Sequence, residues 1–175
     1  MAVRPIRLYG DPVLRKRAQP VGTITPAIRT LVDDMIETMV EANGIGLAAQ
    51  QVGELVRVFV IDLSAVQDGQ QPMGFINPTI IKQEGEQVGD EGCLSFPDFT
   101  EKVVRVERAT VAAFDLNGQR FELEGAGLLA RALLHEQDHL DGVLFIDRLS
   151  PIRRRLLQGR LRKLAKSTEQ GMEKQ

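Results

Sequence analysis

The chain has 175 residues, 43% hydrophobic and 26% charged, with a formal net charge of −2, one cysteine, two histidines and no tryptophan. That length suits one domain of ordinary soluble composition; a single Cys excludes a disulfide-stapled scaffold, and the lack of any C-x-x-C pair excludes zinc ribbons and thioredoxin-type redox centres. No apolar run approaches the ~18 residues of a membrane span, and Arg4, Arg7 and Asp11 stand where a signal peptide needs its apolar core, so the expected location is the cytoplasm, which suits a reduced thiol.

Along the chain, Thr25-Pro26 is a helix start, a capping hydroxyl followed by Pro at the first helical position. Ile28, Leu31, Val32, Met35, Met39 and Val40 then recur at helical spacing, and Asn43-Gly44 ends the helix. Met35 and Met39 read as core. Leu55 to Leu63 is β-branched and predicts a strand. Phe75 to Lys82 predicts a second, and its Pro78 predicts a sheet edge. Lys102 to Asp115 holds one or two strands, Asn117-Gly118 is a hairpin turn, and Gln119 to Glu124 is the return strand. Residues 126–140 read as a helix closed by Gly142, with Leu129, Ala132, Leu133, Glu136 and Leu140 near one face. Ser150-Pro151 opens a last helix, expected to run to about Lys166. There is no internal repeat and no βαβ alternation, so the expected class is α+β: antiparallel sheets around a central helix, with a C-terminal helix.

The charge is unevenly spread. From Pro151 to Gln175 eight Lys/Arg stand against Glu169 and Glu173, a balance of +6; the preceding 150 residues carry −8. Such polarity steers encounter with a polyanion, or else marks a solvated helix face.

The strongest signal is His135-Glu136-Gln137-Asp138-His139, an H-E-x-x-H sequence. On a helix the two imidazoles lie one turn apart on one face and reach one metal ion, with Glu136 beside it to act on water. Two core histidines are the plain alternative, but Glu and Asp between them fit an unliganded apolar core poorly. A metzincin-type third His falls at Phe145 here, and no third His exists. The remaining soft ligand is Cys93, in Glu91-Gly92-Cys93-Leu94-Ser95. A Cys-His-His set leaves the fourth tetrahedral position open, as catalysis requires and as a structural site normally does not. A small buried hydrophobe is the alternative for Cys93.

Three segments in order resemble the peptide deformylase family: Gly44-Ile45-Gly46-Leu47-Ala48-Ala49-Gln50-Gln51 is similar to G-x-G-L-A-A-x-Q, Glu91 to Ser95 to E-G-C-L-S, and His135 to His139 to H-E-x-D-H. The resemblance runs to about residue 165. It implies hydrolysis of the formyl group from the N-terminal formyl-methionine of newly made proteins, with water activated by a metal as nucleophile. It implies Cys93, His135 and His139 as metal ligands, Glu136 as general acid/base, and the Gln51 side chain and Leu94 N–H as oxyanion donors. Gln50 falls in the variable slot. Ile45, Gly46 and Leu47 are implied to bind substrate, Gly46 by pairing with its backbone and Ile45 by lining the methionine pocket. The implied cofactor is one divalent metal per chain, iron(II) in the cell, with zinc, nickel or cobalt able to substitute; spacing does not choose among them.

Two positions depart from the pattern. Leu134 stands where members usually carry Gln. Arg131, one turn before His135, is expected at the pocket mouth, where it favours acidic or extended peptides. Asp138 is read as orienting a ligand or pairing with a cation such as Arg105, or as a surface carboxylate. The expected organisation is a catalytic domain over 1–150, a basic helix over 151–166 packed on or projecting from it, and a disordered tail over 167–175. The expected partners are formyl-methionyl nascent peptides and the ribosome, through the basic helix; neither a membrane nor DNA is expected. A zinc endopeptidase and a non-catalytic, metal-stabilised ribosome-binding module are the alternative functions.

Overall fold

A computed structural model describes every residue from Met1 to Gln175. The elements that matter for the site are helix α1 (Pro26–Glu41), strands β1 (Gly46–Ala48), β2 (Val58–Asp62), β3 (Pro72–Glu84), β4 (Gln87–Gly92), β5 (Thr100–Arg105), β6 (Arg108–Phe114) and β7 (Arg120–Ala126), and helices α2 (Leu128–Leu140) and α3 (Pro151–Glu173). The α+β expectation holds. All named strand pairs are antiparallel: a five-stranded sheet ordered β1-β2-β3-β6-β7 and a separate two-stranded ribbon, β4-β5. No helix is long and apolar enough to cross a membrane.

Side-chain alternation along β2 explains the layering. Phe59 and Ile61 join Phe75, Val111 and Ala113 in packing against Leu133 and Leu140 of α2. Val58 and Val60 join Leu31, Val32, Met35 and Met39 of α1. The sheet therefore separates α1 from α2, and Met35 and Met39 are core. The helix starts act as read: Thr25 accepts from Ile28 N–H and Ser150 from Arg153 N–H. A third apolar cluster joins Phe96, Phe99 and Phe145 to Leu157 and Leu161 of α3.

Two expectations are corrected. β3 is a central strand, between β2 and β6, although it contains Pro78. The ladder shifts register between Ile76 and Thr79, and Asn77 adopts a positive φ of 50°, so the bulge removes the backbone donor demand that Pro cannot meet. Helix α3 continues to Glu173 rather than ending near Lys166, so 167–173 is helical and not a disordered tail. No breaker follows Lys166 until Gly171, Thr168 Oγ1 donates back to the Leu164 carbonyl, and the Gly10 backbone packs so closely on Ala165 and Thr168 that a Cβ there would clash. β4, whose sequence QVGDEG shows no hydropathy pattern, was not anticipated.

Candidate active site

Helix α2 lies against the five-stranded sheet and carries His135, Glu136 and His139, all buried. The loop after β4 brings Cys93 to them. Cys93 Sγ is 3.3 Å from His139 Nε2, and the donor atoms of Cys93, His135 and His139 lie within 4.8 Å of one another. One thiolate and two imidazoles converging from a helix and a loop fit a single divalent ion with an open position. Two further observations support that fit. Glu136 Oε2 is a buried carboxylate oxygen with no protein partner, and Glu136 lines the same cavity as Cys93 and His135. His135 Nδ1 donates to Glu91 Oε2 at 2.7 Å, so its Nε2 lone pair is left for the cluster. The metzincin slot, Phe145, is instead core, with its ring 6.1 Å from that of His135.

Glu91 was missed by the sequence reading. Its Oε1 accepts from Arg105 Nε and Arg131 Nη1, each at 3.0 Å, and its Oε2 from Arg105 Nη2 as well as His135, both at 2.7 Å. Arg105 Nη1 continues to Asp138 Oδ2 at 2.7 Å, and Arg148 closes on Asp138 through two bonds. The pairing of Asp138 with Arg105 is thus present. Burial opposes ionisation of Glu91, but the bonds from His135 and Arg105 prevail and hold its carboxyl far below the usual range. Glu136 lacks such donors, and burial pushes its carboxyl up to about 7. Burial holds the His139 imidazole below its usual range, as a neutral nitrogen ligand needs.

The motif at the end of α1 folds around this cluster. Gln51 Oε1 accepts from Ala48 N–H at 2.9 Å; its Nε2 donates to Ser95 Oγ at 3.1 Å and approaches Cys93 Sγ at 3.5 Å. The amide nitrogen therefore faces the cluster. Gln50, in the variable slot, donates to the carbonyl of His139 and to that of Lys16, bracing the end of α2. The backbone N–H of Leu94 donates to no protein acceptor. Gly44 and Gly46 serve close approach: a Cβ at Gly44 would lie 2.7 Å from Leu94 Cδ1, and one at Gly46 would lie 2.5 Å from Glu136 Oε1. Gly46→Ala should therefore displace the Glu136 carboxylate and lower kcat by about 10²-fold, read as initial rates at equal metal content.

These groups open into a cavity of about 530 Å³ that includes Ile45, Gly46, Gln51, Cys93, Leu94, His135 and Glu136 in its walls. Leu47 is not among them; its side chain is buried in the core under α1. Arg131 lines the cavity, but the expected mouth position is corrected: it is 5% exposed, and its charge is spent on Glu91. Leu134 faces away, towards a groove with Ile80 and Val104.

A sequence profile of the polypeptide deformylase family matches residues 3–155. A peptide deformylase from Acidobacterium capsulatum is 52% identical over 169 residues, covering 97% of this chain and 99% of its own, and one from Thermodesulfovibrio yellowstonii is 50% identical over 158 residues, covering 90% and 96%. Among solved structures, a peptide deformylase from Legionella pneumophila superposes with a TM-score of 0.85 at 41% identity over 99% of both chains. One from Thermus thermophilus gives 0.86 at 43% identity, covering 95% of this chain and 99% of its own.

Proposed function

The chain belongs to the polypeptide deformylase family, and from that premise we propose how its own residues carry the reaction. The enzyme hydrolyses the N-formyl group of formyl-methionine at the start of newly made proteins, releasing formate. The observation that carries the residue assignment is the convergence of the Cys93, His135 and His139 donor atoms, with Cys93 and His135 lining the same cavity as Glu136 and Gln51.

In this reading Cys93, His135 and His139 hold one divalent ion, iron(II) in the cell, with zinc, nickel or cobalt able to replace it. A bound divalent ion supplies Lewis acidity, polarising a carbonyl and making water acidic near neutral pH. Glu136 takes the proton of the attacking water on its carboxylate and delivers it to the leaving amine nitrogen. Gln51 Nε2 and the free N–H of Leu94 donate to the charge that develops on the formyl oxygen; loss of one such donor typically costs about 10²–10³ in rate. The unpaired outer edge of β1 binds the substrate backbone at Gly46, as edge strands bind extended peptides. Ile45 and Arg131 form cavity wall, while Leu47 contributes through its backbone only. Residues 1–150 are the catalytic unit in this proposal, and the thiolate ligand suits the reducing cytoplasm.

The test is formate release from formyl-Met-Ala-Ser by anaerobically purified enzyme with its metal content measured, alongside an unformylated protein. Cleavage of internal bonds without formate release would favour an endopeptidase and overturn the reading.

The ribosome is the proposed larger partner, through α3. Arg153 is bound to Glu101, Arg154 to Asp147 and Arg160 to the Asp98 carbonyl, so the outward basic set is Arg155, Arg162, Lys163, Lys166 and Lys174. Deleting α3 would strip Leu157 and Leu161 from the core, so charge reversal is the cleaner variant. Arg162→Glu with Lys163→Glu should abolish low-salt cosedimentation with ribosomes and leave peptide turnover unchanged. Binding by the unaltered chain should weaken steeply with salt.

A further inference from the structure

One wall of the cavity is the turn Phe96–Thr100. Its apex, Asp98, has a φ of +65°, a left-handed conformation that side-chain-bearing residues adopt at a cost. Within the turn only the bond from Phe99 N–H to the Phe96 carbonyl, at 3.2 Å, supports that geometry. Outside the turn, Phe96 and Phe99 are buried in the apolar cluster with Phe145, Leu157 and Leu161, and the polar contact to the apex comes from α3, 62 residues downstream: Arg160 Nη2 donates to the Asp98 carbonyl at 3.0 Å, and the same guanidinium lies 4.3 Å from the centre of the Phe99 ring. One planar cation thus grips both the strained residue and its aromatic neighbour. The upstream part of the loop is anchored independently, Ser95 by Gln51 Nε2 and by Tyr9 N–H, and Leu94 by its fit over Gly44.

We propose that Arg160 is a positioning residue for peptide binding, holding the Phe96–Thr100 wall of the substrate cavity from the C-terminal helix. The inference rests on the deformylase reading. Because the wall carries none of the donor atoms at Cys93, His135, His139 or Glu136, loosening it acts on KM and spares the chemical step. Arg160 is exposed, so its removal creates no core void.

The experiment compares Arg160→Ala, Arg160→Lys and Gln158→Ala with the unaltered holoenzyme, measuring kcat and KM for formate release from formyl-Met-Ala-Ser, with metal content and thermal midpoint. Arg160→Ala should raise KM about 5-fold while kcat stays within about 2-fold. Lysine, which keeps a donor but not the planar stack, should give an intermediate KM, and Gln158→Ala should change nothing. An unchanged KM in Arg160→Ala overturns the proposal, as does a fall in kcat at constant KM with a lowered midpoint, the mark of a purely structural role. No formate release by the unaltered enzyme overturns the deformylase reading itself, an outcome distinct from a turning-over enzyme whose KM ignores Arg160.

Discussion

Glu136→Gln is expected to keep the fold and the metal content and to lower kcat by about 10²–10⁴-fold, the range lost with a positioned acid/base group. The reason is local. Glu136 is 4% exposed, sits beside the converging Cys and His donors, and contacts none of the cations that neutralise Glu91. Glutamine fills the same space against Gly46 but neither accepts nor returns a proton. Because Glu136 is not one of the three donors, metal analysis should give the same stoichiometry as the unaltered enzyme. Loss of metal along with turnover would mean that the residue acts as a ligand, and near-normal turnover would remove it from the proton path. Cys93→Ala supplies the contrasting case: no other Cys exists to replace it, so metal and turnover should be lost together.

Much of this site was legible because its chemistry is compressed into short motifs. The i, i+4 histidines place two imidazoles on one helical face whatever surrounds the helix, and the hydropathy of residues 126–140 identifies that helix. The helix starts at Thr25 and Ser150 were legible because a cap followed by Pro is a local signal. What escaped was set by tertiary contact. On β5 the buried face carries Glu101, Val103 and Arg105, while Val104 is 52% exposed, so a reading that puts apolar residues inward chooses no consistent face. Glu91, on a strand with no hydropathy alternation, gains its role only when Arg105 and Arg131 arrive from elsewhere in the chain. Glu91 in turn draws Arg131 inside, where its slot in the family pattern suggested the pocket mouth. Pro78 misled for a related reason: a bulge in a long central strand satisfies it as well as an edge does.

Those buried charges carry the second large effect. Arg105→Met is expected to destabilise the fold by about 3–5 kcal/mol, the cost of leaving buried partner charges uncompensated, read by urea unfolding. Arg105 is 7% exposed and bridges Glu91 to Asp138. Arg131 and His135 remain on Glu91 and Arg148 remains on Asp138, which puts the expectation near the lower end of that range. The exposed pair Arg108–Glu124 is the control: Arg108→Ala should cost no more than about 1 kcal/mol. The pH dependence follows from the sign of the Glu91 shift. Its folded pKa is depressed, so its contribution is fully present above the unfolded value of about 4.3 and is lost as pH falls below it. The gap between the unaltered chain and Arg105→Met should therefore narrow as the pH is lowered from about 4. Loss of Arg105 also removes two of the bonds that orient the Glu91 carboxylate behind His135, so metal affinity should fall by about 10-fold, the low end of what loss of the partner behind a histidine ligand costs. A variant with normal metal affinity and a pH-independent stability loss would separate this charge network from the metal centre.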